Sequence, residues 1–310
     1  MSLLIQLHCL AEKARSPQER NRYAKRIHHA RALAGTDSKG VVGTLKVPIF
    51  HRAVQRGYAV VIQDVRGRYA SGGEFRPYEN EGRDGFDTIE WAAQQRWSSG
   101  DVGTFGLSYP GAVQWLAAVE SPPHLKPMVP AMTFSTPQNF FYASGTWDMS
   151  WIDWIWDNIA PDVRARKNLP GAKTGEEAIA AWKPAAPRML NTLPLKQLED
   201  LRGAAPYYYD WLSHPAEDPW WDWAELRNKY SRVHAAVLNF SGWYDDNYGP
   251  EGATTNFNGL VAGSTRLASL IIHRYPLNVL SLFPSQQLGH PTAARLYSLS
   301  SPVTEAAYGL

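Results

Sequence analysis

At 310 residues, 44% of them hydrophobic, the chain is long enough to bury a substantial core, as one elaborated domain or two small ones. Its 31 basic and 29 acidic residues nearly balance and form no basic stripe, which argues against nucleic acid as a partner. The single Cys9 excludes an internal disulfide framework, and no run approaches the roughly 18 apolar residues that cross a bilayer, so no membrane partner is expected.

The opening MSLLIQLHCL is mildly apolar, with no basic leader and no clear small-residue cleavage site. It reads as a non-signal N-terminus, which makes the cytoplasm the default location. Residues 1–56 carry scattered Arg, Lys and His without a sustained period of 2 or 3.6. The pattern sharpens at Tyr58. Tyr58–Val65 (YAVVIQDV) is a β-branched, nearly all-apolar run, as expected for a strand buried on both faces of a parallel sheet. A glycine-rich loop, Arg66–Gly73, follows. Asp84–Gln95 places Phe86, Ile89 and Ala93 on one helical face, with Asp84 available as a cap. Asp101–Leu107 predicts a short strand, Tyr109–Val119 a helix, and Pro127–Met132 another strand. Strand, helix, strand, helix, strand is the mark of an α/β fold with a parallel sheet.

The character changes at about Ser135. Nine of the 13 tryptophans lie between Trp147 and Trp223, in Pro-punctuated stretches of helical type: Trp147–Ile159, Gly175–Trp182 and Pro219–Arg232. No strand-like run is apparent among them, so a helical insertion over the sheet is expected. The sheet resumes with Ala235–Phe240 and Leu267–Ile272, and pattern is low from there to Leu310. The expected organisation is therefore a first sheet portion over 1–134, with 1–45 hard to place. A Trp-rich helical cap over 135–233 follows, then a return to the sheet over 234–272 and an atypical tail over 273–310.

Gly106-Leu107-Ser108-Tyr109-Pro110-Gly111 falls where a strand ends and a helix begins, the context a nucleophile elbow requires. Small residues at Gly106 and Gly111 allow the close approach of strand and helix that such a turn demands. The backbone N–H of Tyr109, opening the helix, would point at an oxyanion formed beside the serine. Pro110 stands where the common pentapeptide has its second glycine. The competing reading is a serine that merely caps the helix.

Three blocks, GYAVVIQDVRGRYASGGEF, DGFDTIEWAAQQRW and GDVGTFGLSYPGAVQW, together with the later VLNFSGWYDD, resemble the cocaine esterase-like (CocE/NonD-type) hydrolases. These are grouped with the X-prolyl dipeptidyl aminopeptidases. The resemblance spans roughly residues 45–272. It implies an α/β-hydrolase fold with a helical cap, and acyl transfer to water from an ester or amide. Ser108 would attack, and Asp245, rather than its neighbour Asp246, would orient a histidine base. The chain order Ser, Asp, His is the order of that fold. The family's second oxyanion donor is a tyrosine of an early Arg-x-x-Tyr loop, to which Arg20-Asn21-Arg22-Tyr23 is weakly similar.

The base is where the pattern departs. The family's Gly-Pro-Trp-x-His turn reads LIIHRYPLN here, with Leu277 in the histidine's slot. His273, four residues earlier and 28 after Asp245, and His290 are the candidates, and the absence of any base is the third alternative. The family's C-terminal β jelly roll has no room in the 37 residues after His273. A frame shift or truncation that leaves 273–310 foreign to the fold is the expectation drawn from this. Apolar surface left uncovered would favour a homo-oligomer.

Arg66–Gly73 lacks the Gly-x-Gly-x-x-Gly spacing of a phosphate cradle and reads as a turn near the active-site face. No Cys/His group has metal-ligand spacing, so no metal and no cofactor are implied. The tryptophans read as a cap lining an apolar acyl pocket in preference to a carbohydrate platform. The expected substrate is a small-molecule ester or a short peptide. The alternatives are an X-prolyl dipeptidyl peptidase, which needs an acidic subsite for a free amine, and a catalytically inactive member of the family.

Overall fold

The computed structural model describes residues 4–9, 53, 58–143, 145–245, 248–263, 268–273 and 295–298. The segment in which no sequence period persists contains strand β1 (Leu4–Cys9), and the apolar run after Tyr58 forms β2 (Ala59–Asp64). β1 pairs antiparallel with β2, Leu4 opposite Asp64 and Cys9 opposite Ala59, and on its other edge with β3 (Val102–Leu107). An early strand therefore does precede Tyr58. Six residues carry too few alternations to stand out in sequence, and it is pairing on both edges that defines the strand.

After β3 come β4 (Leu125–Ala131), a separate two-stranded ribbon of β5 (Tyr142–Ala143) and β6 (Thr146–Trp147), then β7 (Ala236–Gly242), β8 (Ala268–His273) and β9 (Arg295–Ser298). The main sheet has the order β2-β1-β3-β4-β7-β8-β9. Strands β3, β4, β7 and β8 are mutually parallel. Leu107 faces Ala131, Ala131 faces Phe240 and Phe240 faces Ile271, so four strand C-termini open onto one edge. In parallel α/β sheets that edge is where ligands are bound.

Helix α1 (Glu81–Ala93) crosses from β2 to β3, and α2 (Tyr109–Ala118) from β3 to β4. α1 begins three residues before Asp84, so Asp84 is not its cap; its carboxylate instead accepts from Arg66 Nε at 2.9 Å. Every residue of α2 except Pro110 is buried. A helix apolar on all sides has to be covered on all sides, here by sheet, by α1 and by the aromatic segment.

That segment contains α3 (Ser150–Trp154), a π turn over Ile155–Ile159, α4 (Ala160–Lys167), α5 (Gly175–Leu190), α6 (Tyr207–Trp211) and several 3₁₀ turns. It is helical as expected, save for the β5–β6 ribbon at its start, too short to register as a period. Its centre is Phe141, fully buried, with ring centroids 4.4 Å from Trp221, 4.8 Å from Trp211 and 5.0 Å from Trp151. The loop after β2 ties the segment to the sheet. The Arg68 side chain is completely buried, Nε donating to Asp162 at 2.9 Å and a terminal nitrogen donating to the Asn158 carbonyl at 2.7 Å. The glycine-rich loop thus serves as a strut. The last helix among the described residues, α7 (Glu251–Gly263), precedes β8. Among the described residues no helix is long and apolar enough to cross a membrane.

Candidate active site

Ser108 sits between the end of β3 and the start of α2 with φ 64° and ψ −123°, a conformation that L-residues avoid. Two absent side chains make the turn feasible. A Cβ on Gly106 would lie 2.4 Å from Pro110 Cβ, and one on Gly111 would lie 2.7 Å from the Ala131 carbonyl oxygen. The strained backbone is then clamped by hydrogen bonds. Ser108 N–H donates to the Ala131 carbonyl at 2.9 Å, and the Ser108 carbonyl accepts from Gly111 and Ala112 N–H at 2.8 and 2.9 Å. Buried Gln114 completes the clamp, donating to the Pro110 carbonyl at 2.9 Å and accepting from Val129 N–H and Thr104 Oγ1, both at 3.1 Å.

Tyr109 occupies the first helical position, where a backbone N–H has no intrahelical acceptor. Its side chain is buried. The phenol donates to the carboxylate of Glu81 and accepts from Tyr78 N–H at 3.2 Å. Burial pushes the Glu81 carboxyl up to about 7, an effect the Tyr109 hydrogen bond only partly offsets. The Tyr109 phenol is raised well above its ordinary value by burial and by the Glu81 charge.

The second half of the site comes from the loop after β7. One Asp245 carboxylate oxygen accepts from Tyr248 N–H at 2.8 Å, and the Asp245 carbonyl accepts from Gly249 N–H at 3.2 Å. Ser241 Oγ donates to the Gly249 carbonyl at 2.6 Å, pinning the turn to the strand. This turn carries the Tyr248 hydroxyl to 3.1 Å from Ser108 Oγ. Desolvation pushes the Tyr248 phenol up to about 12. Its ring stacks on Phe140, centroids 5.6 Å apart at 19°, and Phe140 lies 4.8 Å from Trp151. The aromatic cluster therefore reaches the surroundings of Ser108.

His273 ends β8, in register with Gly242 of β7, so its backbone stands on the same sheet edge as Ser108 and the Asp245 loop. Its side chain, like Tyr23, Asp246 and His290, lies outside the described residues. Three residues of the neighbourhood escape sequence reading: Tyr248, Glu81 and Gln114. Tyr248 has one signal, its place three residues after Asp245, but an Asp-x-x-Tyr spacing says nothing until the turn is folded. Glu81 and Gln114 look like ordinary helical polar residues.

A mostly parallel sheet flanked by helices, with a strained serine at a strand–helix junction on its C-terminal edge, defines an α/β-hydrolase fold. The sequence profile of the X-Pro dipeptidyl-peptidase (S15 family) matches residues 11–275, and the chain belongs to that family. It is 32% identical over 210 residues to the cocaine esterase of Rhodococcus sp. (strain MB1 Bresler), which aligns 62% of this chain with 34% of that protein. The chain thus spans about a third of the length of that relative. A CocE/NonD family hydrolase from Staphylococcus aureus shares the fold, with a TM-score of 0.51 and 23% identity over 73% of this chain and 34% of its own. These likenesses agree with the resemblance carried by the Tyr58–Val119 blocks.

Proposed function

We propose that this chain carries the nucleophile of a serine hydrolase that cleaves a small-molecule ester through an acyl-enzyme intermediate. The observation that carries the reading is the backbone of Ser108, held at φ 64° by contacts that no ordinary helix cap requires. Ser108 Oγ attacks the carbonyl and the Tyr109 N–H donates to the oxyanion. Asp245 orients the base, and His273 takes the serine's proton. The aromatic residues near Phe140 and Trp151 form the apolar side of the acyl pocket, within the helical cap over 135–233. Kinship with cocaine esterase supports ester chemistry.

An X-prolyl dipeptidyl peptidase is the second reading, supported by the description of the family itself. Turnover of p-nitrophenyl acetate against that of a Gly-Pro p-nitroanilide separates the two. A fluorophosphonate probe tests the shared step. Rapid labelling confined to Ser108 is expected, with Ser108→Ala lowering hydrolysis by at least about 10³-fold and His273→Ala slowing the labelling. Labelling that survives in Ser108→Ala removes Ser108 from the mechanism. An unlabelled wild-type chain makes this an inactive member of the family.

A further inference from the structure

We infer that Tyr248 is a catalytic residue of the Ser108 centre, its phenol donating a hydrogen bond to the oxyanion formed when the serine attacks; this rests on the serine-hydrolase reading above. Ordinary packing does not explain where Tyr248 stands. One residue touches both halves of the site, its backbone N–H donating to the Asp245 carboxylate at 2.8 Å and its hydroxyl lying 3.1 Å from Ser108 Oγ. Three constraints fix the phenol before any substrate arrives: the hydrogen bond to Asp245, the pinning of the turn by Ser241, and stacking on Phe140. Preorganisation of that kind is what electrostatic stabilisation of a developing charge requires.

The chemistry follows from which atoms are joined. On attack, the Ser108 Oγ–C bond forms, the serine proton passes to the base, and the carbonyl π pair moves onto oxygen. That oxygen is bonded to the same carbon as Oγ, so a donor 3.1 Å from Oγ stands in the neighbourhood of the developing charge. The Tyr248 proton stays on the phenol throughout; with its pKa pushed up to about 12, the hydroxyl is a donor at neutral pH and not a base. Collapse breaks the bond to the leaving group, which takes the proton from the base. Water then repeats the sequence on the acyl-enzyme. The N–H of Tyr109 and the O–H of Tyr248 make a pair of donors, one from the elbow and one from the Asp245 turn. The family resemblance gives such a donor role to Tyr23, which lies outside the described residues.

Tyr248→Phe removes one oxygen and keeps the ring on Phe140. With p-nitrophenyl acetate, kcat is expected to fall about 100-fold, as for other single oxyanion donors, with KM changed by less than about twofold. Affinity for a trifluoromethyl ketone, whose adduct carries the same oxyanion, falls by a similar factor while the thermal unfolding midpoint is unchanged. A second variant with 3-fluorotyrosine at position 248 keeps packing and hydroxyl but is a stronger donor, so it binds the ketone more tightly. Wild-type kcat and ketone affinity in Tyr248→Phe, with Ser108 still labelled by fluorophosphonate, overturn this inference and leave the serine reading standing. A wild-type chain not labelled at Ser108 overturns both.

Discussion

The turn at Ser108 and the aromatic segment beside it are rigid for opposite reasons. Around the serine, rigidity comes from missing side chains: Gly106 and Gly111 let the strand, the helix and β4 approach until backbone meets backbone. Around Phe141 it comes from large ones, with Trp151, Trp211 and Trp221 all within 5.0 Å of its ring centroid. The first arrangement fixes one oxygen atom in space, and a single added methyl disturbs it. The second fixes a shape, in which the removal of a ring leaves a void. Tyr248 joins them, its hydroxyl on the serine and its ring on Phe140.

Four measurements can break or sharpen that contrast. Phe141→Ala empties the centre of the aromatic cluster, and an unfolding free energy lower by about 3–5 kcal/mol is expected in denaturant titrations. A loss under about 1 kcal/mol would show that the segment is not held by this packing.

Glu81 gives the next effect, in pH. Its folded-state carboxyl is raised from the ordinary 4.5 to about 7, chiefly by burial. A raised carboxyl favours the folded state while protonated. Its contribution is complete below about pH 4.5 and is lost as pH rises through about 7, a fall of about 3 kcal/mol across that window. Glu81→Gln should flatten this slope in stability-against-pH profiles. An identical slope in the variant would mean that other groups set it.

Gly111→Ala tests the opposite kind of rigidity. Its new methyl meets the Ala131 carbonyl oxygen at 2.7 Å, so a destabilisation of about 1–3 kcal/mol is expected, with slower fluorophosphonate labelling as the serine is displaced. Stability and labelling that both match the wild type would show the turn to be looser than its contacts imply. The smallest effect belongs to Thr174, which caps α5 in a reciprocal pair with Glu177. Thr174→Ala should lower stability by about 1 kcal/mol and leave labelling unchanged, since the cap is an exposed, local pair at the start of α5. Altered labelling would mean that the segment's edge is coupled to the elbow.

Much of this was legible in the chain itself. The β2–α1–β3–α2–β4 run could be read because apolar runs and helical periods are local. Yet β2, expected to be buried on both faces of a parallel sheet, is a half-buried strand at the end of the described sheet, paired antiparallel with β1. The elbow could be read because its glycines are steric necessities. β1 could not, because its six residues owe their conformation to neighbours on both edges. Asp84 misled for a similar reason: an acidic residue near a helix start serves equally as a cap or as a partner for Arg66, and only the folded loop chooses. Tyr248 was invisible, since nothing local links it to a serine 140 positions away.

The sequence by itself determined the class of fold and the position of the strained serine, because both follow from short-range sterics and from the period of apolar residues. Only the tertiary structure decided what surrounds that serine. The Asp245 turn, the Tyr248 hydroxyl and the Glu81 side chain reach the elbow through folding of the whole sheet, and Gln114, though in the elbow's own helix, finds its Val129 partner only there. Distances of about 3 Å between groups far apart in the chain are set by packing.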